Sequence, residues 1–394
     1  MSYNLDKFIS RRNTNSVKWE FMPTVERKEK ADLLPLWIAD MDFPCAEPIL
    51  QALHDRVDRQ IFGYSFAESI EYLDSVKNWF KDSFNWKFNS SEIKIAPGVV
   101  PAISVLIRTL THSGDGIIIQ NPVYYPFKEI IENNNRRTIN NALINNEGFY
   151  LVDFKDLEEK ASEKNTSMMI LCNPHNPVGR VWKEEELIKM AGICLENDVI
   201  IISDEIHCDL LRKESEFIPL GSIISDDRII SCTSASKSFN LAGMQIANII
   251  IKKEEFRHLW DDDILGKQGL YGSNPFGIVA TIAAYNQARS WLKHTNQYID
   301  ANLQYVMEFL NKYLPKAIYK IPEGTYFAWI DFRPYGLSAE KLETLIQKKA
   351  GVLLDEGYIF GKEGVGFERI NVACPRSILK DCLERIQKVI SDSV

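Results

Sequence analysis

A lysine at the end of an apolar run is the residue of this chain best placed for covalent chemistry. Lys237 lies in the serine-rich turn 234–238, directly after the apolar run 228–232. The run predicts a buried strand that ends where the polar residues begin. A partly desolvated lysine has a pKa below about 10.4, and its free amine can form an imine with a carbonyl compound. A surface lysine after a strand is the alternative for this turn taken alone.

Two further polar residues follow apolar runs of the same kind. Asn176 lies in the loop after the run 168–172, and Asp204 directly follows the run 199–203, with an amphipathic helix predicted between them. Strand, helix and strand in this order give parallel neighbours with right-handed crossovers. We therefore predict that Asn176, Asp204 and Lys237 lie at one edge of a sheet, in the crevice where α/β proteins bind ligands.

A phosphate site is predicted from two other stretches. Gly98 precedes a predicted helix, so that the backbone N–H groups of Gly98, Val99 and Val100 lie at the positive end of a helix dipole. The hydroxyl groups of Ser234 and Ser236 can bind the same phosphate. A simple turn is the alternative for the glycine.

These groups together are what pyridoxal phosphate (PLP) requires of a protein: an imine-forming lysine, an acid for the pyridinium nitrogen and a phosphate anchor. Lys237 and Asp204 supply the first two. Asn176 can donate a hydrogen bond to the ring phenolate. Arg369 offers the forked donor that a substrate carboxylate needs.

With these residues in place, the chain resembles the fold-type I PLP enzymes of the class I/II aminotransferase family over nearly its whole length. The matching stretches are 122–124, 176–179, 204–207, 234–237 and Arg369. The resemblance implies an α/β protein with the PLP-dependent transferase fold. In that fold a large, mostly parallel sheet domain spans 49–287, and a smaller α+β domain is built from both termini, 1–48 and 288–394.

The same resemblance assigns the catalytic residues Lys237, Asp204 and Tyr124. Lys237 carries the cofactor as an imine and, once released, removes the α-proton of the substrate. Asp204 pairs with the ring nitrogen, Tyr124 stacks on the ring, and Asn176 holds the phenolate. The expected cofactor is therefore pyridoxal 5'-phosphate.

Four more residues receive roles from the resemblance. Arg369 and Ala39 bind the substrate, with Arg369 on the α-carboxylate. His207 stands where a tyrosine is common and comes within reach of the phenolate, although a packed neutral histidine is the alternative. Tyr64 reaches the phosphate of the neighbouring subunit, which implies a homodimer with shared active sites.

Two stretches resemble the carbon–sulfur β-lyase branch of the family, the MalY/PatB-type cystathionine β-lyases. They are 37–44 and 236–243. The branch implies cleavage of L-cystathionine or a related L-cysteine thioether to pyruvate, ammonia and a thiol. The arginine expected eight residues after Lys237 is Gln245, which leaves less positive charge near the phosphate. An aminotransferase and a PLP-binding regulator with residual lyase activity are the alternatives.

The composition of the chain argues against several classes of binding partner. The chain has 394 residues and a net charge of −8, which argues against nucleic acid or an anionic membrane as its main partner. Its seven cysteines, an odd number without paired spacing, predict reduced thiols in a cytoplasmic protein. We find no signal core at the N-terminus and no apolar run of transmembrane length.

Two other classes of site are disfavoured. No G-x-G-x-x-G follows a strand and opens a helix, which argues against a Rossmann dehydrogenase. Cys172, His175, His207 and Cys208 are of the types that bind zinc, yet their spacing matches no known ligand set. We therefore predict no metal site.

Overall fold

A computed structural model of the chain describes residues 3–21 and 33–393. Its strands are β1 (Leu34–Pro35), β2 (Ile93–Ala96), β3 (Gly116–Ile119), β4 (Arg137–Asn140), β5 (Ile144–Asn146), β6 (Phe149–Leu151), β7 (Thr166–Cys172), β8 (Ile200–Asp204), β9 (Ile229–Thr233), β10 (Ala247–Ile251), β11 (Phe327–Asp331), β12 (Val352–Leu353), β13 (Asp355–Glu356) and β14 (Phe367–Asn371). Its α-helices are α1 (Val17–Glu20), α2 (Glu47–Asp58), α3 (Ile70–Phe84), α4 (Val99–Leu110), α5 (Pro126–Asn133), α6 (Phe154–Ala161), α7 (Glu184–Glu196), α8 (Leu220–Ile223), α9 (Ala235–Ser238), α10 (Glu254–Asp261), α11 (Pro275–Gln287), α12 (Arg289–Tyr313), α13 (Ala339–Glu343) and α14 (Arg376–Ser391).

A seven-stranded sheet forms the centre of the molecule, with the strand order β2-β10-β9-β8-β7-β3-β4. The five strands from β9 to β4 are parallel, and β10 runs antiparallel to both of its neighbours. Its central strands are mainly apolar and almost entirely buried, as expected for a sheet whose two faces are covered by crossover helices. The predicted α/β class with a mostly parallel sheet is confirmed.

The register of the central strands brings their carboxyl ends level with one another. Cys172 at the end of β7 pairs with Asp204 at the end of β8, and Asp204 pairs with Cys232 in β9. The loop that carries Asn176 and the turn that carries Lys237 therefore leave the sheet at the same edge.

Both ends of the chain contribute to smaller sheets outside the central one. The strands β11, β14 and β13 form an antiparallel sheet in that order. Near the N-terminus, β1 pairs in parallel with β12, so that Leu34 lies opposite Val352. The C-terminal part thus has the α+β character that the sequence predicts.

Apolar patterning and capping residues in the sequence also predict a strand from residue 244, one helical stretch over 274–313 and a helix cap at Ser377, and the structure differs at each of these places. The strand predicted from residue 244 begins at Ala247, because residues 242–244 form a 3-10 turn. The helical stretch predicted over 274–313 is two helices, α11 and α12, with a break at Ala288. The predicted cap Ser377 lies inside α14, whose N-cap position is Pro375.

Three further expectations concern the cysteines, membrane-spanning helices and metal sites. All seven cysteines are free thiols, and all except Cys45 are buried. No helix within residues 3–21 and 33–393 combines the length and the apolar composition that a membrane span requires. In the same residues, no group of three or more His, Cys, Asp or Glu side chains is arranged to hold a metal ion.

Candidate active site

A cavity of about 180 Å³ opens at the carboxyl ends of β7, β8 and β9. Every predicted cofactor residue except Tyr64 lines it, together with Ala39 and Gln245; these residues are Gly98, Val99, Val100, Tyr124, Asn176, Asp204, His207, Ser234, Ser236 and Lys237. A second cavity of about 560 Å³ adjoins it and shares Ala39, Tyr124 and Lys237. Arg369 lines this second cavity, which is where a substrate would meet Lys237.

The turn that carries Lys237 is held by hydrogen bonds from both of its sides. Ser234 caps the short helix α9 by accepting from the backbone N–H of Ser236 at 3.0 Å, and its hydroxyl donates to the carbonyl of Ile246 at 2.8 Å. On the other side of Lys237, the hydroxyl of Ser238 donates to Asp209 at 2.6 Å. The lysine is thus mounted on a fixed turn.

The side-chain amine of Lys237 lies at the cavity and has a lowered pKa. Its Nζ donates to the backbone carbonyl oxygen of Ala39 at 2.9 Å. Burial, helped by the nearby charge of Arg369, lowers the pKa of the Lys237 amine to about 8, although the carboxylates of Asp40 and Asp204 act in the opposite direction. An appreciable fraction of this amine is therefore neutral near pH 8, as imine formation requires.

Asp204 is a buried carboxyl group at the same sheet edge. Its Oδ1 accepts a hydrogen bond from the backbone N–H of Ile206 at 3.1 Å. Burial raises the pKa of Asp204 to about 7, and the attraction of Lys237 offsets only part of that rise. A cationic N–H placed against this carboxyl would hold it ionised, and a protonated pyridine nitrogen is such a group.

The N-terminus of α4 lines the cavity with backbone N–H groups of its first turn. Gly98 occupies the N-cap position, and Val99 and Val100 begin the helix. Backbone N–H groups in a first helical turn have no acceptor within the helix, so they suit a phosphate. Ser236 adds a hydroxyl at the cavity wall, whereas the hydrogen of Ser234 is already donated to a carbonyl. Gln245 also lines the cavity, and its amide adds no charge.

Arg369 links the two cavities through its guanidinium. Its Nη1 donates to Oδ1 of Asn176 at 2.7 Å, and its Nη2 donates to the carbonyl of Trp37 at 3.1 Å and forms an ion pair with Asp355. The Nε of Arg369 is buried without a hydrogen-bond partner in the described chain. The guanidinium lies 4.0 Å from the ring centroid of Phe327, which fixes its plane.

These donors and acceptors fit PLP. The cavity offers a reactive amine, a buried carboxyl group without a cation in hydrogen-bond contact, and a helix N-terminus for a phosphate. In addition, Nδ1 of His207 is buried without a hydrogen-bond partner among the described residues. An orphaned polar atom at the wall of a cavity indicates a missing ligand group.

Comparisons with known proteins agree with this geometry. A family model described as "Aminotransferase class I and II" matches residues 31–386. This chain belongs to the class I and II aminotransferase family. It is 40% identical to cystathionine beta-lyase PatB of Bacillus subtilis over 390 residues, which cover 98% of this chain and 100% of the relative.

Solved structures of this family superpose on the chain over almost its full length. A PLP-bound putative aminotransferase from Clostridium difficile 630 has a TM-score of 0.95 and 41% identity, and covers 99% of this chain and 100% of its own. A PLP-bound C-S lyase from Staphylococcus hominis has a TM-score of 0.92 and 36% identity, with 99% and 98% covered. The aminotransferase fold expected from the resemblance is therefore confirmed.

The two aromatic residues predicted beside the cofactor both line the 180 Å³ cavity. Tyr124 is half-buried and packs edge-on against Phe127, with 5.5 Å between ring centroids. His207 is buried edge-on against Tyr326 and Phe327. Burial lowers the pKa of His207 well below its usual value, so the imidazole is neutral.

Tyr64 is the predicted site residue that the fold does not bring to Lys237. Its side chain is 97% exposed, and it lines a separate cavity with Phe62 and Tyr271. Within one chain, Tyr64 therefore takes no part in the site.

Two charged groups that line the 560 Å³ cavity were not predicted from the sequence. Asp355, the partner of Arg369, follows the apolar run 352–354, which was the available signal for it. Arg11 reaches the cavity from the N-terminal segment and pairs with Asp40. No pattern around Arg11 distinguishes it from a solvated arginine.

Proposed function

We propose that this protein is a PLP-dependent carbon–sulfur β-lyase that cleaves L-cystathionine or a related L-cysteine thioether to pyruvate, ammonia and a thiol. The observation that carries the proposal is the meeting of Lys237, Asp204 and Arg369 around two connected cavities. The similarity to a cystathionine beta-lyase and to a C-S lyase over the full length supports the same reaction.

In this proposal, one group of residues binds the cofactor and another group acts on the substrate. Bound PLP would supply an aldehyde that condenses with amines and a conjugated ring that takes up an electron pair. Lys237 would hold this aldehyde, and the helix N-terminus at Gly98 with Ser236 would hold the phosphate. Asp204 would keep the ring nitrogen protonated, while Tyr124 would flank the ring and Asn176 would donate to its phenolate.

Proton transfer from the substrate falls to Lys237. Displaced by the substrate amine, the neutral Nζ accepts the α-proton as general base, and its lowered pKa of about 8 matches this task near neutral pH. Release of the thiolate from Cβ then leaves an unsaturated amine that hydrolyses to pyruvate and ammonia.

Arg369 is proposed to orient the substrate. Its buried guanidinium offers forked donors for the α-carboxylate, and its contact with Asn176 couples substrate position to the cofactor side of the site. Asp355 neutralises the guanidinium before substrate arrives, so a carboxylate binds by competing with Asp355 rather than by filling an unpaired charge. Ala39 lines both cavities beside this position.

The experiment that tests the proposal measures pyruvate release from L-cystathionine with no 2-oxo acid present. An aminotransferase is the second candidate, favoured by the similarity to a putative aminotransferase. It shares the early steps, but it needs a 2-oxo acid to complete its cycle. Sustained pyruvate release thus separates the two activities.

We also propose a homodimer in which Tyr64 reaches the neighbouring subunit's phosphate site. Tyr64 lies in an exposed apolar patch, which we define by Ile61, Phe62, Tyr64, Phe66 and Tyr271. Phe62, Tyr64 and Tyr271 of this patch line one cavity, and exposed apolar surface of this kind supports a protein–protein contact.

Two further assignments stay predictions. We propose a cytoplasmic location, supported by the seven free thiols. We also propose the division into a large domain, 49–287, and a small domain, 1–48 with 288–394. The pairing of β1 with β12, which joins the two terminal segments, supports that division.

A further inference from the structure

The charged side chains that line the 560 Å³ substrate cavity are not equivalent. Arg369 is paired with Asp355, and Lys237 is committed to the cofactor in the proposed function. Asp42 is buried, and it accepts from Lys18 at 2.6 Å, from Trp19 at 3.0 Å and from Nη1 of Arg11 at 3.2 Å. Arg11 also forms a closer ion pair with Asp40, and these two side chains are partly exposed to the cavity.

The geometry of this pair leaves room for a ligand. Arg11 and Asp40 form a two-point contact, with Nη2 to Oδ2 at 2.6 Å and Nη1 to Oδ1 at 2.9 Å. Each side chain is 23% exposed. The Nε–H of Arg11 makes no hydrogen bond to a described residue. The pair therefore presents one positive and one negative group to the cavity, and the charge of Asp42, the second carboxylate on Arg11, is offset by Lys18.

The pair lies beside the reacting amine. Asp40 directly follows Ala39, whose carbonyl accepts from Lys237, and its carboxylate acts on the charge of that amine. Ile9 and Val17, also from the N-terminal segment, add apolar surface to the same cavity. A thioether whose reacting end lies between Lys237 and Arg369 could extend its carbon chain along this apolar surface towards the pair.

We propose that Arg11 and Asp40 form a subsite for the far end of the substrate and that the far end it selects is a zwitterionic α-amino acid group. A distal carboxylate binds the Arg11 guanidinium, and the distal ammonium binds the Asp40 carboxylate. This inference rests on the proposed lyase function and names its substrate class, a thioether that joins two amino acids. An uncharged S-alkyl group leaves both members of the pair without a ligand, and a singly charged far end satisfies only one.

The test compares kcat/KM for L-cystathionine with kcat/KM for S-ethyl-L-cysteine, whose far end is uncharged. We expect the ratio of the two to fall about tenfold in Arg11→Gln and in Asp40→Asn, the range of one charge-assisted hydrogen bond. Arg11→Lys, which keeps the charge and loses the fork, should give an intermediate ratio. Arg12→Gln removes the same charge at the exposed neighbouring residue and should change the ratio less than about twofold.

A binding measurement gives a second readout that needs no turnover. Calorimetry on the full-length chain freed of cofactor measures the dissociation constant of L-cystathionine. Arg11→Gln should weaken it about tenfold relative to S-ethyl-L-cysteine. Equal losses for both ligands, in binding and in kcat/KM, would overturn the subsite and leave Arg11 as a support for the N-terminal segment. If the wild-type chain cleaves no thioether, the lyase proposal is wrong. The ratio of the dissociation constants of L-cystathionine and S-ethyl-L-cysteine, compared between wild type and Arg11→Gln, then still tests whether the subsite exists.

Discussion

The side-chain amine of Lys237 lies 2.9 Å from the backbone carbonyl oxygen of Ala39, 198 positions earlier in the chain. Because a carbonyl does not ionise, it can hold the amine in place without the strong stabilisation of the ammonium form that a carboxylate would give. The side chain of Asn240 holds Met41, two residues after Ala39, by two hydrogen bonds: it accepts from Met41 N–H at 3.0 Å and donates to Met41 C=O at 2.9 Å. Ala39 and Met41 of the N-terminal segment therefore form part of the wall of the candidate active site.

The first prediction concerns the pKa of Lys237 in the cofactor-free chain. An amine-reactive acylating reagent should label Lys237 with a half-maximal rate near pH 8, whereas free Nα-acetyl-lysine follows its ordinary pKa of about 10.4. Asp40→Asn removes a carboxylate that favours the ammonium form, so it should lower the pKa of Lys237 further. Mass spectrometry of the labelled peptide measures both values. A midpoint near pH 10 in the wild-type chain contradicts the account of burial.

The second prediction is that Lys237 binds the cofactor covalently. Borohydride reduction of the PLP-loaded protein should attach a pyridoxyl group to the peptide that contains Lys237. Lys237→Ala should abolish that label, and Lys155→Ala, a change at an exposed lysine, should keep it. Peptide mapping checks the outcome. Labelling of the same peptide in Lys237→Ala would sink the assignment.

The strand ends were predictable because the information is local. Each of β7, β8 and β9 is a short apolar run that stops at a polar residue, and the crossover rule places their carboxyl ends together. Asn176, Asp204 and Lys237 could thus be placed at one site from sequence alone. The antiparallel direction of β10 could not be, because an apolar run does not encode the direction of its strand.

Contacts between segments that are far apart in the chain could not be predicted from the sequence. The ion pair of Arg369 with Asp355 depends on how β13 aligns with β14, and the approach of Arg11 to Asp40 depends on the path of the N-terminal segment. Neither pair has a fixed spacing or a periodic pattern. The role proposed for Tyr64 requires a second subunit, so neither the sequence nor one folded chain decides it.

The third prediction separates function from stability at Asp204. The unfolded chain ionises this group near pH 3.8, whereas burial raises its pKa in the folded chain to about 7. Between these values the folded chain binds more protons, so the free energy of unfolding of the cofactor-free protein falls as the pH rises. Asp204→Asn removes this fall in the free energy of unfolding. We therefore expect the cofactor-free variant to be at least as stable as the cofactor-free wild type at pH 8. Its kcat/KM should nevertheless fall by about 100-fold or more, because a neutral amide no longer holds the ring nitrogen protonated.

Glu205 provides the matched control for this change. Burial also raises the pKa of Glu205 to about 7, yet its Oε1 accepts from Leu220 N–H and from Ser231, away from the cavity. Glu205→Gln should therefore affect the pH dependence of unfolding without a comparable loss of kcat/KM. Chemical denaturation between pH 4 and 8 and steady-state kinetics measure the two effects. If Asp204→Asn keeps turnover within a few-fold of wild type, another group serves the ring nitrogen.

The fourth prediction tests shared sites. Tyr64→Ala and Lys237→Ala chains should each be nearly inactive, and mixing them should restore activity, because one site of each hybrid dimer contains both intact residues. Tyr313→Ala, a change at another exposed tyrosine, should remain active without mixing. Subunit exchange is verified by native mass spectrometry of differently tagged chains. Exchange without any recovery counts against a role for Tyr64 in the neighbouring site.

The most direct measurement follows the products formed from L-cystathionine by the PLP-loaded protein without any 2-oxo acid. Elimination and transamination share the loss of the α-proton, and a difference of about 1.4 kcal/mol between the barriers that follow gives tenfold partitioning. We predict pyruvate, ammonia and homocysteine in equal amounts over many turnovers, with the cofactor still in its aldehyde oxidation state. A single turnover that converts the cofactor to pyridoxamine phosphate, with activity restored only by added 2-oxo acid, would contradict the lyase assignment and identify an aminotransferase.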